Sequence, residues 1–134
     1  EQLQADVIEK NLEERVEFVG AVVQDEVVPY YQSADIFLNL SETGSLDKSV
    51  LEAMSCGCLA LTSNEAFREV LRSVPECFCE SHDFGVISQR IENLIDLSAA
   101  RRTDITNELR EVVVVHYSLP GLMRAIVAKV AEVD

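Results

Sequence analysis

The chain has 134 residues, 48% of them hydrophobic and 26% charged, proportions expected of one globular domain and too small for two. Its formal net charge of −13, from 24 acidic and 11 basic side chains, repels nucleic acid and anionic membrane surfaces, so neither is an expected partner. No run approaches the roughly 18 apolar residues that suggest a membrane span, and Glu1-Gln2-Leu3-Gln4 is no signal peptide, so the cytoplasm is the expected compartment.

Ala5, Ile8 and Leu12 fall at helical spacing and predict a helix over Gln4 to Leu12. Val16-Glu17-Phe18-Val19-Gly20 predicts a short strand ending at a glycine. Glu26 to Ala34 reads as a helix and Asp35-Ile36-Phe37-Leu38-Asn39-Leu40 as a strand. A polar loop, Ser41 to Asp47, then leads to a helix from about Lys48 to Cys56 that stops at Gly57. Cys58-Leu59-Ala60-Leu61-Thr62 is the next strand, Asn64 is placed to cap a short helix over Glu65 to Leu71, and Cys77-Phe78-Cys79 is a last brief strand. From Phe84 onward the pattern is helical: Phe84 to Leu97, about Ala100 to His116, and Leu119 to Val133. In the first of these Ile87, Ile91, Leu94 and Ile95 build an apolar face.

Strands alternating with helices over short connections predict an α/β fold, a Rossmann-like parallel sheet of about four strands flanked by helices. Residues 1–134 are read as a single domain, with the sheet region at about 15–80 and a helical tail at about 83–133. In such sheets ligands bind beyond the carboxyl ends of the strands, where helix N-termini point. Ser41 to Asp47 connects such a strand end to such a helix start.

That loop carries small and polar residues that keep its amides accessible, and Gly44 permits backbone angles closed to other residues. The first amides of the following helix lack intrahelical acceptors and lie at the positive end of its dipole. Together they form a site for phosphate or diphosphate that does not depend on net charge, with Lys48 as one local cation. Val50, Leu51 and Met54 share the side facing the sheet, which turns Glu52 the other way, where its carboxylate can accept from vicinal hydroxyls such as a ribose diol. The plainer reading of the same residues is an exposed Glu52 and an Asp47 that only caps the helix.

Three stretches are recognisable together: Val16-Glu17-Phe18-Val19-Gly20, Tyr31-x-x-Ala34-Asp35-Ile36-Phe37-Leu38, and Leu51-Glu52-Ala53-Met54-Ser55-Cys56-Gly57 followed by an apolar strand. They resemble the C-terminal, donor-binding domain of family 4 GT-B retaining glycosyltransferases, over about Val16 to Val70 and more loosely along the helical tail. The resemblance implies binding of a nucleotide-diphosphate sugar and transfer without a metal or other cofactor. It implies a donor site of Thr43, Gly44, Ser45, Leu46, Asp47, Lys48, Ser49 and Glu52, with Glu52 at the position that contacts ribose. The family's sugar-contacting glutamate falls at Gly44, a departure that leaves Glu42, Asp47 or Lys48 to take over part of its role. Glu69, in Phe67-Arg68-Glu69-Val70, matches a further glutamate near the donor pocket and reads almost as well as a helix-surface residue.

Relative to that family the chain is expected to lack two strand–helix units, which carry an arginine and a lysine for the diphosphate, and the acceptor-binding N-terminal domain. Alone it is therefore expected to be inactive, and a longer parent could sit peripherally at a membrane. In the order 3-2-1-4-5-6 the missing strands separate the Val16 strand from the Ile36 strand. Those two are expected to pair here, or their edges to be covered by self-association.

The cysteines, Cys56-x-Cys58 and Cys77-x-Cys79, are closer than the usual zinc spacing and lie in or beside apolar runs, which favours buried thiols over a metal site or disulfides. His82 and His116 have no partner at a convincing metal or triad spacing, and Tyr30-Tyr31 is expected to pack its helix on the sheet. The competing functional reading is a non-catalytic α/β interaction or regulatory module, degenerate at Gly44. A nucleotide-sugar epimerase would need catalytic groups from elsewhere.

Overall fold

The apolar runs Ile36-Phe37-Leu38 and Leu59-Ala60-Leu61 find each other as parallel strands. The computed structural model describes residues 2–131, in which β1 (Ile36–Asn39) pairs with β2 (Leu59–Thr62) in the register Ile36 to Leu59 through Asn39 to Thr62. A parallel pair needs a crossover, and α3 (Lys48–Ser55) supplies it. Beyond β2 a single bridge joins Thr62 to Phe78, which gives the order β1, β2, Phe78.

All four β2 residues are buried, so both faces of this strand are covered. Leu59 and Ala60 share a cluster with Val50 and Met54 of α3 and with Ile105 and Leu109 of α5 (Ala99–Val112). Leu61 and Cys79 share another with Ile87 and Leu94 of α4 (Phe84–Ile95). Full burial of Met54, Leu59 or Leu61 contributes roughly 1.5–3 kcal/mol each, so the core gathers on β2 and the helices packed against it. Arg102 of α5 donates to the backbone carbonyls of Leu94 and Asp35, both at 3.2 Å, and so ties α4 to the start of β1.

The sheet is smaller than expected. Among the described residues it has two strands and one bridge, not about four strands. Phe78 contributes only that bridge because Pro75–Cys77 closes into a 3-10 turn just before it. Val16–Gly20 forms no strand, and the expected pairing with Ile36 is absent. An extended segment is held in a sheet only by a neighbour that takes its amides. Here Val16 and Phe18 instead share a cleft with Val7 and Ile8 of α1 (Gln2–Glu9), and remain 37% and 47% exposed.

Other boundaries shift for local reasons. Pro29 sits at the start of α2 (Val28–Ser33), so the expected Glu26–Ala34 helix begins instead with a separate 3-10 turn, Gln24–Glu26. Glu65–Leu71 is helical only as a 3-10 turn over Glu65–Phe67. The predicted helix to His116 turns into a π-helix at Val113–Tyr117. The last helix, α6, runs Leu119–Ala131, and the end of its expected range lies outside the described residues.

Candidate functional site

At their carboxyl ends both strands change from apolar to polar. Asn39 closes β1 and Thr62 closes β2, opposite each other in the register. The Thr62 hydroxyl donates to Asn39 Oδ1 at 3.4 Å and accepts from the Asn64 amide at 3.1 Å. Asn39 Oδ1 also accepts from the Ser41 amide at 3.3 Å and lies 3.1 Å from the Ser41 hydroxyl oxygen, which fixes the first residue of the loop.

The far end of the loop is fixed by Asn64, which has no exposed surface. Its side-chain amide donates to the Ser45 carbonyl at 2.8 Å, to Asp47 Oδ2 at 3.1 Å and to the Thr43 hydroxyl at 3.2 Å. Its side-chain carbonyl accepts from the Ala66 amide at 3.1 Å, the expected cap. The three loop contacts could not be foreseen from a capping motif.

Asp47 stands at the N-cap position of α3 but makes no side-chain cap bond. Its carboxylate accepts from the hydroxyls of Ser41 and Thr43 and from Asn64. The Ser41 bond first, then those of Asn64 and Thr43, hold the Asp47 carboxyl below its ordinary value. The plain capping reading is therefore corrected, because the loop has claimed the oxygens that would have capped the helix. Bonding into α3 begins with the Val50 and Leu51 amides, which donate to the Asp47 carbonyl. The amides of Lys48 and Ser49 precede it, at the positive end of the helix.

One turn further, Glu52 is only partly exposed and is gripped from two sides. The Tyr31 hydroxyl donates to Oε2 at 3.2 Å and Lys48 Nζ lies 3.3 Å from Oε1. Tyr31 is buried against Phe37, with the rings edge to face, and its hydroxyl is pushed up to about 12, by burial first and by Glu52 next. Val50 and Met54 are fully buried on the opposite side of α3, as their spacing required.

A cleft of about 220 Å³ adjoins the loop. Glu42 and Gly44 line it from the loop, Ser63 and Asn64 from the end of β2, and Glu65, Glu80 and His82 from across. Gly44 has φ +69, a conformation strained for other residues, and open space where a side chain would stand. Thr43, Ser45 and Leu46 lie at the exposed surface of the same loop. Glu42, Thr43, Gly44, Ser45, Leu46, Asp47, Lys48, Ser49 and Glu52 thus share one loop and helix start. Glu69 is not brought among them: it lines two other clefts, one with Val112, His116 and Tyr117 and one with Arg72 and Arg90, and no loop residue borders either.

Cys58, Cys77 and Cys79 are buried free thiols and Cys56 is half-buried. Burial pushes the Cys77 thiol up to about 12 and raises that of Cys58, which keeps both protonated and unreactive.

The family model for group 1 glycosyl transferases matches residues 1–96 of the 134, a stretch that contains β1, β2, α3, the loop and the cleft. The chain belongs to the group 1 glycosyl transferases. No curated protein and no solved structure matches. Within this glycosyl transferase chain the loop after β1 lies where parallel α/β sheets place ligands.

Proposed function

We propose that the chain binds the nucleotide-diphosphate end of a sugar donor, as part of a GT-B, family 4 type, retaining glycosyltransferase. The observation that carries the reading is the diversion of Asp47. An N-cap carboxylate normally occupies the first free amides of its helix, whereas this one is turned into the loop, and the Lys48 and Ser49 amides stay available to an anion. Lys48 stands one turn from Glu52 and is 71% exposed at its side chain, free to swing toward phosphate once that pair opens.

Glu52 suits a ribose. A carboxylate beside a diphosphate repels the phosphate but accepts two hydrogen bonds from a vicinal diol, and Tyr31 holds it in position for that. The loop amides and Lys48 would stabilise charge on the departing diphosphate, a role that needs no metal.

Calorimetric titration of uridine, guanosine and adenosine diphosphates into the chain tests this. One of them binds, and Glu52→Ala weakens it about tenfold, the value of a charge-assisted hydrogen bond to ligand. Equal affinity in the variant would remove Glu52 from the site.

A further inference from the structure

Cations are scarce in this chain, 11 basic against 24 acidic side chains, yet three arginines border one cleft of about 340 Å³. Arg68 and Arg72 enter it from the segment after β2, and Arg90 from α4. The bridge from Thr62 to Phe78 holds the chain between the two, and Phe78 lines the cleft beside Leu71 and Pro75. The planar fork of an arginine suits an oxyanion better than the point charge of a lysine does.

The three are held differently. Arg68 is pinned, with its guanidinium 4.8 Å over the Phe78 ring. It donates to Glu65 at 2.8 and 2.7 Å and to Glu80 from its other terminal nitrogen. A guanidinium has five N–H groups, so two are left to donate. Arg72 is exposed and Arg90 half-buried, and neither side chain has a hydrogen bond or ion pair among the described residues. Glu76 lies within electrostatic reach of Arg90 but is taken by Arg101 at 2.6 Å. Arg90 does not reach its other oxygen, which is buried without a partner. A half-buried cation without a counterion costs free energy that an anion in the cleft would relieve.

We infer that this cleft binds the phosphoryl group of a small phosphomonoester, at a site separate from the start of α3. The inference goes beyond the donor-site reading and does not depend on it. Glu80 also borders the cleft, but Arg68 already satisfies it, which leaves Arg72 and Arg90 facing Glu69 alone. A phosphomonoester carries about −1.5 to −2 at neutral pH and offers three acceptor oxygens, enough for two forks and the spare N–H groups of Arg68. A carboxylate would fill one fork, and a neutral sugar would leave both cations unpaired. Glu69 is left to accept a hydroxyl from the body of the ligand. The cleft beside Gly44 shares Glu80 but is lined also by Glu42 and Glu65 and by no arginine, so it does not compete for the phosphoryl group.

The test is an NMR titration of the full chain, at fixed salt, with inorganic phosphate, glycerol 3-phosphate and glucose 6-phosphate, beside glycerol and glucose. The phosphorylated probes bind saturably and move the Arg72 and Arg90 amides and the arginine Nε–H signals, and the unphosphorylated ones do not. Arg72→Gln and Arg90→Gln each weaken that binding about tenfold, as expected for a charge-assisted hydrogen bond to an anion. Arg110→Gln removes the same charge outside the cleft and leaves the affinity unchanged. Neither cleft variant breaks an ion pair of the described residues, so both keep the wild-type urea midpoint. Binding that survives both cleft substitutions, that falls equally with Arg110→Gln, or that moves only Lys48 and Ser49 overturns this inference and leaves the donor site standing. So does the failure of all three phosphorylated probes, or binding to phosphatidic acid vesicles alone. Phosphorylated probes that bind here while no nucleotide diphosphate binds at α3 uphold this inference and overturn the donor reading.

Discussion

Asp47, at one end of the loop, is held by two hydroxyls and by the amide of an asparagine with no exposed surface. Glu42, at the other end, rests on the imidazole of His82, and both side chains are well exposed. The first arrangement belongs to the packed end of β2 and cannot move without disturbing it. The second can rotate at little cost. The two ends of the loop therefore play different roles. In the proposed donor site the rigid end would hold a helix start toward a fixed charge, while the loose end would be free to adjust. Preorganised donors are effective because they need no rearrangement when the anion arrives.

The strongest way to break this contrast is to loosen the rigid end. Asn64→Ala removes three contacts to the loop and leaves Asp47 short of a donor. It is expected to destabilise the chain by about 2 kcal/mol and to abolish diphosphate binding; a urea melt and a titration check the two parts. A loop that keeps its affinity in this variant would show that the clamp is unnecessary.

Tyr31→Phe is next, with an expected loss of about 1 kcal/mol at neutral pH. The Tyr31 hydroxyl ionises in the folded chain at about 12, against an ordinary 10.0, so the fold favours its protonated form. Stability from this group is complete below pH 10.0 and falls as the pH rises toward about 12. Wild type and Tyr31→Phe should converge in urea midpoint over that interval.

Asp47 behaves in the opposite sense. Its folded-state carboxyl lies below its ordinary value of 3.8, so its contribution is present above that pH and is lost as the pH falls through the lowered value. Asp47→Asn flattens the acid limb of the stability profile. At the loose end, His82→Ala changes stability by less than about 0.5 kcal/mol, as for surface substitutions away from packed features. A larger loss would mean that both ends are structural.

The loop from Ser41 to Asp47 and the start of α3 were legible in the sequence because their signals are local: an apolar run, a glycine with polar neighbours, then helical spacing ending at Gly57. The capping role of Asn64 was legible for the same reason. Its larger role was not, because its loop partners lie 17 to 21 residues away and only the parallel register of β1 on β2 brings them near. The same holds for His82 and Glu42, and for Ser63, whose burial without a partner leaves no mark on composition. Val16–Gly20 errs the other way. Its pattern suits a strand, yet among the described residues no neighbouring strand takes its amides, and Val16 and Phe18 share a cleft with α1 instead. Sequence periodicity reports what a segment could become, and the sheet decides which segments it keeps.

Everything proposed for the donor depends on the start of α3 being left open for a diphosphate by the diversion of Asp47. The most direct measurement follows the backbone amide resonances as uridine, guanosine and adenosine diphosphates are added in turn. One nucleotide is expected to move the Lys48 and Ser49 amides most, with Gly44 and Glu52 following. Shifts centred on Glu69, Arg72 and His116, with the start of α3 unmoved, would contradict it.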